Sequence, residues 1–399
     1  MSRYRWTVLA VATLMQVGNS FPQVTPAALG PIITAALHLT RSELGLLTDA
    51  IWGGMLLGLL PSGILVDRYG ERRMIAIGGV ALAAFVVLAS LATAFLPLFL
   101  LLIPAAIAAA SAGPGGVRAL AAWFHPRQLG MAMGIRQTGV MVAGVVAALL
   151  LPPIALAWGW RAAFWAVAVA VLVATAAFVL FYREPAVQRR QGSHLSLRAL
   201  ARNRTFLTAT GFGWIFMGAQ GCSVTYLAIS LHESAALPVL TAGYLLALQQ
   251  VGGVAGRVGW GIMSDRLHSR GRVMAICGGL AVVACASLAL LVHAGAPLLV
   301  LAAASALIGL TCSGWNALYI TLSSEQLPER AATAVGAGST VTFTGMLLAT
   351  PAFGLIADHA GYQVAWMALA AWCAIGTAVA FGVHDRALAP RGTPVAAAA

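Results

Sequence analysis

The sequence has no lysine: all 23 of its basic residues are arginine. Charge of any kind is scarce. Charged residues make up 9% of the 399 and hydrophobic residues 60%, whereas a soluble globular chain carries about a quarter charged. This excludes an ordinary soluble domain and points to an integral membrane protein. The five cysteines have neither metal-ligand nor disulfide-framework spacing, and read as small core residues. There is no pair of catalytic carboxylates, no His/Cys ligand cluster, no nucleophile elbow and no nucleotide-binding glycine loop. Enzymatic chemistry, a cofactor and a metal are therefore not expected. A cleavable leader is not evident either, because the first apolar run is too long and carries polar and proline positions where a small-residue cleavage site would stand. It reads as the first membrane helix.

What is present is a succession of twelve apolar runs. Each is long enough for the roughly 20 residues that cross the ~30 Å hydrocarbon core, and their unbroken apolarity suits helices, which satisfy their own backbone groups, better than barrel strands. A net charge of +12 would suggest nucleic acid in a soluble protein. Here the arginines sit in short loops between apolar runs, so no nucleic-acid partner is expected. With the N-terminus in the cytoplasm, the loops on that side hold nearly all of them, and the opposite side holds Arg41 and Arg161. Such asymmetry places both termini in the cytoplasm and the chain in the inner plasma membrane. Arg118, Arg136 and Arg257 fall within or at the ends of apolar runs and need another explanation.

The polar stretch from Gly63 to Arg73, GILVDRYGERR, forms a tight hinge between the second and third runs. A related stretch, GWGIMSDRLHSRGR, returns from Gly259 to Arg272, about half the chain later. The chain is thus expected to be all-α, with two pseudo-symmetric six-helix halves, 1–187 and 204–385. A cytoplasmic linker, 188–203, joins them, and a disordered tail, 386–399, follows. Repeats of this kind rock about a central cavity to alternate access.

GILVDRYGERR resembles the signature loop between helices 2 and 3 of the major facilitator superfamily, with Glu71 where a base is usual. The second copy, with Ser264, Asp265, Arg266, Gly271 and Arg272, resembles the weaker version between helices 8 and 9. The resemblance covers essentially the whole chain and implies a monomeric twelve-helix secondary transporter. Between helices 4 and 5, RALAAWFHPRQLGMAMGIRQTG is similar to a segment of the organic-anion porters, including the anion:cation symporters. It puts Arg118 where those proteins place a substrate-binding arginine. Arg257, eight residues before Asp265, resembles the helix 8 arginine of nitrate/nitrite porters and, more loosely, of monocarboxylate porters. The helix 5 pattern of drug:proton antiporters is not found in GIRQTGVMVAGVVAALLLPP. The implied activity is symport of a small mono- or dicarboxylate with a proton. Drug efflux and inorganic-anion transport are the alternatives.

Arg118 and Arg257 would each cost ~2.5 to 3.5 kcal/mol at membrane depth unless paired, hydrated or ligand-bound. A guanidinium fork matches a carboxylate bidentately, so one arginine from each half could converge on an anion. The competing reading is snorkelling or pairing near a helix end. Arg136, at the start of helix 5, reads as structural. Asp49 is the acid placed inside an apolar helix, where desolvation favours the neutral carboxyl and lets it carry a proton. Capping, or pairing with Arg41, is its alternative role. Asn19, Gln249 and Asn316 are assigned to the cavity. The hinge residues Asp67, Arg68, Arg72, Arg73, Asp265, Arg266 and Arg272 are assigned to gating, through charge–dipole contacts of order 0.3 to 1 kcal/mol that close one side in one state.

Overall fold

The computed structural model describes residues 4–124, 126–184, 202–326 and 331–383, without the side chains of Leu60, Asp67, 126–131, Asp265, Ser324 and 331–334. The tail and all but the end of the expected linker lie outside those residues. The chain is almost wholly helical. Helix α1 comprises Tyr4–Ala28 and Gly30–Leu37, α2 is Arg41–Tyr69, α3 Glu71–Ser90, and α4 comprises Phe95–Ala109 and Ala112–Trp123. Then come α5 (Pro126–Trp158), α6 (Trp160–Phe181), α7 (Arg204–Ser234), α8 (Val239–Leu267) and α9 (Arg270–Leu291). Helix α10 is Leu298–Ile308 and Asn316–Gln326 with a π turn, Gly309–Ser313, between them. Ala331–Phe381 is one helical stretch divided at Gly361, whose φ of 81° no side-chain-bearing residue adopts readily, into α11 and α12.

Among the described residues nine helices are long and apolar enough to cross a membrane, the last being the α11–α12 stretch. The polar first helix, with Gln16, Asn19 and Gln23 buried, and the charge-bearing α2 complete the twelve. This matches the expected all-α, twelve-span layout.

Two junctions stand at opposite ends of the molecule. At the hinge, Gly70 takes φ 87°, and a Cβ there would lie 2.2 Å from the Glu184 carboxylate. The chain turns on this residue into α3, whose first turn carries Glu71 with no exposure. At the opposite end of the molecule, Asp358, near the α11–α12 break, caps the start of α2. Its carboxylate accepts from the Arg41 and Ser42 amides at 2.8 and 2.9 Å and from the Ser42 hydroxyl at 2.8 Å. Charge at a helix N-terminus meets both the orphan amides and the dipole. The Arg41 side chain completes the junction, donating to Glu233 at 2.8 and 3.1 Å and to the Ala357 carbonyl, with its guanidinium 4.6 Å from the Tyr362 ring. The Tyr226 hydroxyl lies 2.8 Å from the Arg41 carbonyl and 2.9 Å from that of Thr350. The first six helices and the last six are thus tied together on the side away from the termini.

Asp358→Asn keeps the shape of the cap and removes its charge. Charge-assisted hydrogen bonds contribute about 1.5 to 3 kcal/mol, enough to change the population of a two-state seal at least tenfold. Spin labels at the exposed positions Ala36 and Pro238 are expected to show a new, longer separation in the variant. An unchanged distance distribution would remove the seal from Asp358.

Candidate functional site

The site is built from the contact between α8 and α10. Gly252 and Gly256 of α8 face the α10 backbone so closely that a Cβ would fall 2.3 Å from the Ala306 carbonyl oxygen and 2.2 Å from that of Leu310. Only small residues allow this approach. The π turn at Gly309–Ser313 widens the helix there and turns carbonyls outward, a distortion common at functional sites. Leu310 accepts from the Trp260 indole at 2.7 Å, and Ser313 accepts from Arg257 Nε at 3.4 Å. The guanidinium of Arg257 is therefore held by α10 from one side.

On its other side is a cavity of about 600 Å³ lined by Met133, Gln137, Thr138 and Met141 of α5, Val254, Arg257 and Val258 of α8, and Asn316, Ala317, Ile320 and Thr321 of α10. It lies between a helix of the first six and two of the last six, toward the ends of α8 and α10 and the beginning of α5. That is the end nearer the termini, opposite the Arg41–Asp358 seal. Arg257 is the charged member of this lining; Gln137, Thr138, Asn316 and Thr321 are its polar members. One fixed cation with neutral hydrogen-bonding groups in an otherwise apolar chamber suits a small anion bearing further polar groups.

The residues singled out from the sequence separate into groups. Arg257 and Asn316 come together at the cavity. Asn19 does not join them: its amide donates to the Ala109 carbonyl at 3.1 Å, tying α1 to α4. Gln249, wholly buried, donates to the Ser223 hydroxyl at 3.0 Å, between α8 and α7. Arg118 is also elsewhere. Its Nε lies 3.0 Å from Glu71 Oε2 and its Nη1 donates to the Val66 carbonyl at 3.0 Å, while the Tyr182 hydroxyl donates to the other Glu71 oxygen. The expectation that Arg118 and Arg257 converge on one ligand is thus not met in this conformation. The glutamate that departs from the superfamily pattern is what holds Arg118. Nearby Glu184, just beyond α6, has its carboxyl pushed above the ordinary carboxylate range by burial and then by the Glu71 carboxylate. Arg136 is buried, with Nη2 donating to the Ala112 carbonyl at 2.8 Å, as a structural residue would.

Asp49 is hydrogen-bonded to the Thr350 hydroxyl of α11, so it stands on the sealed side where the two sets of helices meet. It does not pair with Arg41, whose partners are Glu233 and Ala357. Among the hinge residues, Arg72 reaches the Val179 carbonyl at 2.9 Å and Arg68 lies 5.3 Å from the Tyr69 ring, both within the first six helices. Arg73, Arg266 and Arg272 are exposed. Gln137, Thr138 and Thr321 escaped the sequence reading, although Gln137 and Thr138 are adjacent polar positions in an otherwise apolar stretch of helix.

The family model described as Major Facilitator Superfamily matches residues 9–350 and 240–397. An uncharacterized MFS-type transporter of Mycobacterium tuberculosis is 27% identical over 365 residues, 91% of this chain and 81% of that protein. A probable galactarate/D-glucarate transporter of Escherichia coli is 23% identical over 315 residues, 70% of this chain and 71% of its own length. The fold matches that of a bacterial homolog of the human lysosomal transporter Spinster, solved inward-facing and unoccupied, with a TM-score of 0.81 at 18% identity, covering 96% of this chain and 97% of that one. The chain belongs to the major facilitator superfamily of membrane transporters.

Proposed function

We propose that the protein is a secondary transporter that carries a small organic anion, a mono- or dicarboxylate, by alternating access between the halves 1–187 and 204–385, with a proton in symport. It acts as a monomer in the inner plasma membrane with both termini cytoplasmic. The observation that carries this reading is the cavity of about 600 Å³ with Arg257 as its charged lining residue. Such a volume lies in the range of small-molecule sites, roughly 300 to 1,000 Å³, and exceeds what a bare inorganic anion needs. A guanidinium in a partly dry chamber binds a carboxylate bidentately, and the amides of Gln137 and Asn316 with the hydroxyls of Thr138 and Thr321 can meet hydroxyl groups along a sugar-acid chain. The name of the galactarate/D-glucarate relative supports that substrate class. The Arg41–Asp358 junction is the outer gate, closed here. The two hinges, around Asp67 and Asp265, form the inner gate, and Asp49 carries the proton.

A second reading, export of hydrophobic compounds, is favoured by a separate apolar cavity of about 350 Å³ among Trp214, Cys222, Leu348, Phe353, Leu369 and Trp372.

A thermal-shift screen of the purified protein separates the two. Ligand at a hundred times its Kd stabilises by about 2.7 kcal/mol, a shift of several degrees in a protein of this size. Sugar acids and other small carboxylates are expected to produce it. Stabilisation by lipophilic cations alone would overturn the anion reading.

A further inference from the structure

The cysteines, scattered along the sequence, do not stay scattered in the fold. The sulfurs of Cys285, Cys312 and Cys373 all lie within 4.8 Å of one another, and those of Cys285 and Cys312 are 3.9 Å apart. They come from three elements, α9, the π turn of α10, and α12, and all three residues are fully buried. The other two cysteines are placed differently. Cys277 donates to the Thr311 carbonyl at 3.5 Å, and Cys222 lines the apolar cavity of the second half.

We propose that Cys285, Cys312 and Cys373 form a three-thiolate site for one thiophilic trivalent metalloid, taken up as its neutral hydroxide. Geometry and charge both select this class. A trivalent centre with a lone pair is pyramidal, and bonds of about 2.3 Å, the length of a metal–thiolate bond, put its three sulfurs about 3.5 Å apart. The Cys285–Cys312 pair, at 3.9 Å, is close to that separation, and the third sulfur is near enough for side-chain rotations to supply the rest. Cys312 stands in the π turn, where the helix is least regular and adjusts most readily. Soft sulfur ligands exclude hard cations such as magnesium and calcium.

Charge then decides among the soft ions. A net charge buried at membrane depth is costly. Three thiolates leave one negative charge around a divalent ion and two around a monovalent one, whereas a trivalent centre is neutralised by them. The exchange also balances without charge or redox change. Each S–H gives its proton to one hydroxide ligand, which leaves as water; three sulfur–metalloid bonds form and three oxygen–metalloid bonds break. A neutral hydroxide reaches the buried site without shedding an ionic hydration shell, so burial does not bar entry.

Occupation would staple α9, α10 and α12 together. It would act on the carrier site too, because Ser313, which accepts from Arg257, is the next residue after Cys312. A bound metalloid is thus expected to slow the carrier by fixing the π turn.

The test uses the full chain, reduced, incubated with arsenite and desalted. Elemental analysis is expected to find one arsenic per protein, and intact mass a gain of one arsenic less three hydrogens. Alkylation in denaturant followed by peptide mapping should find Cys285, Cys312 and Cys373 blocked, with Cys222 and Cys277 reactive. Cys312→Ala is expected to weaken retention by about 10- to 100-fold or more, the scale seen when even an outer ligand of a metal site is lost, while Cys222→Ala and Cys277→Ala leave it unchanged. Wild-type protein that retains no arsenic would overturn the site, as would arsenic that protects Cys222 or Cys277 instead. If Cys312→Ala does not fold, the mapped pattern in wild type decides alone.

Discussion

Arg257→Lys is expected to weaken substrate binding about ten- to a hundredfold although it preserves the charge. Lysine keeps a point cation but loses the planar fork that engages two carboxylate oxygens together. It also loses the Nε–H that reaches the Ser313 carbonyl at 3.4 Å and orients the group toward the cavity. The loss of charge-assisted contacts in a partly desolvated site is about 1.5 to 3 kcal/mol, which gives that factor. Arg257→Ala should bind still less. Arg118 is expected to behave differently, since its fork holds Glu71, a residue with no solvent exposure. Arg118→Ala leaves that carboxylate buried without its partner, a change that costs about 3 to 5 kcal/mol in buried pairs. It should appear as lost folded protein, with the Kd of whatever folds unchanged. Because the two arginines serve separate partners, their effects in the double variant should add to within about 0.5 kcal/mol. Equilibrium binding of a stabilising carboxylate to each purified variant measures this. Unchanged affinity in Arg257→Lys would take the anion anchor away from Arg257, and a strongly non-additive double variant would bring Arg118 back to the ligand.

Much of this arrangement is written in local sequence and some of it is not. The apolar runs, the arginine-poor loops on one side and the hinge with Gly70 are local features, so twelve helices and their order could be read directly. The small-residue stripe at Gly252 and Gly256 is local as well, but its consequence is not. It draws α8 onto α10 where the π turn opens, and no residue pattern in LIGLTCSGW announces that turn. Glu71 is a departure from the family pattern when read along the chain. In space it is the counter-charge for Arg118, 47 residues further on, and accepts from the hydroxyl of Tyr182, so the cost of the buried arginine is accounted for by pairing. Asn19 and Gln249 were placed by polarity at mid-helix depth. Polarity cannot tell a side chain facing the central cavity from one facing its own helical neighbour, and both do the latter. The cap that Asp358 places on α2 joins residues more than three hundred positions apart. Spacing rules have nothing to say about such a contact, nor about three cysteines that meet only when α9, α10 and α12 pack.

Asp49→Asn is expected to abolish proton-driven accumulation and to leave exchange of substrate across the membrane. This follows from counting hydrogens at the seal on the side away from the termini. Thr350 Oγ1 lies 3.0 Å from the Met346 carbonyl one turn earlier and is also hydrogen-bonded to Asp49 Oδ1. A threonine hydroxyl has one proton. If it goes to the Met346 carbonyl, the contact with Asp49 needs a proton from the aspartic acid, and the closed seal is then the protonated state. If it goes to Asp49 and that carboxyl is ionised, a charge is buried where the two sets of helices meet, with 9% exposure, and Arg41 is committed to Glu233. The first arrangement avoids the cost of an unpaired buried charge and gives coupling a physical form. On the proposed symport reading, the carboxyl would take a proton when that side is open, and the neutral acid would let α2 and α11 close over it. Asparagine is neutral at every pH and can donate to Thr350, so the variant closes without a proton. The carrier still cycles, but its closure no longer depends on the proton gradient. Uptake into vesicles with an imposed pH gradient, compared with counterflow in vesicles without one, separates the two activities. Uphill uptake that persists in Asp49→Asn with an unchanged pH dependence would move the coupling proton to another residue and leave the Asp49–Thr350 bond as a packing contact of the seal.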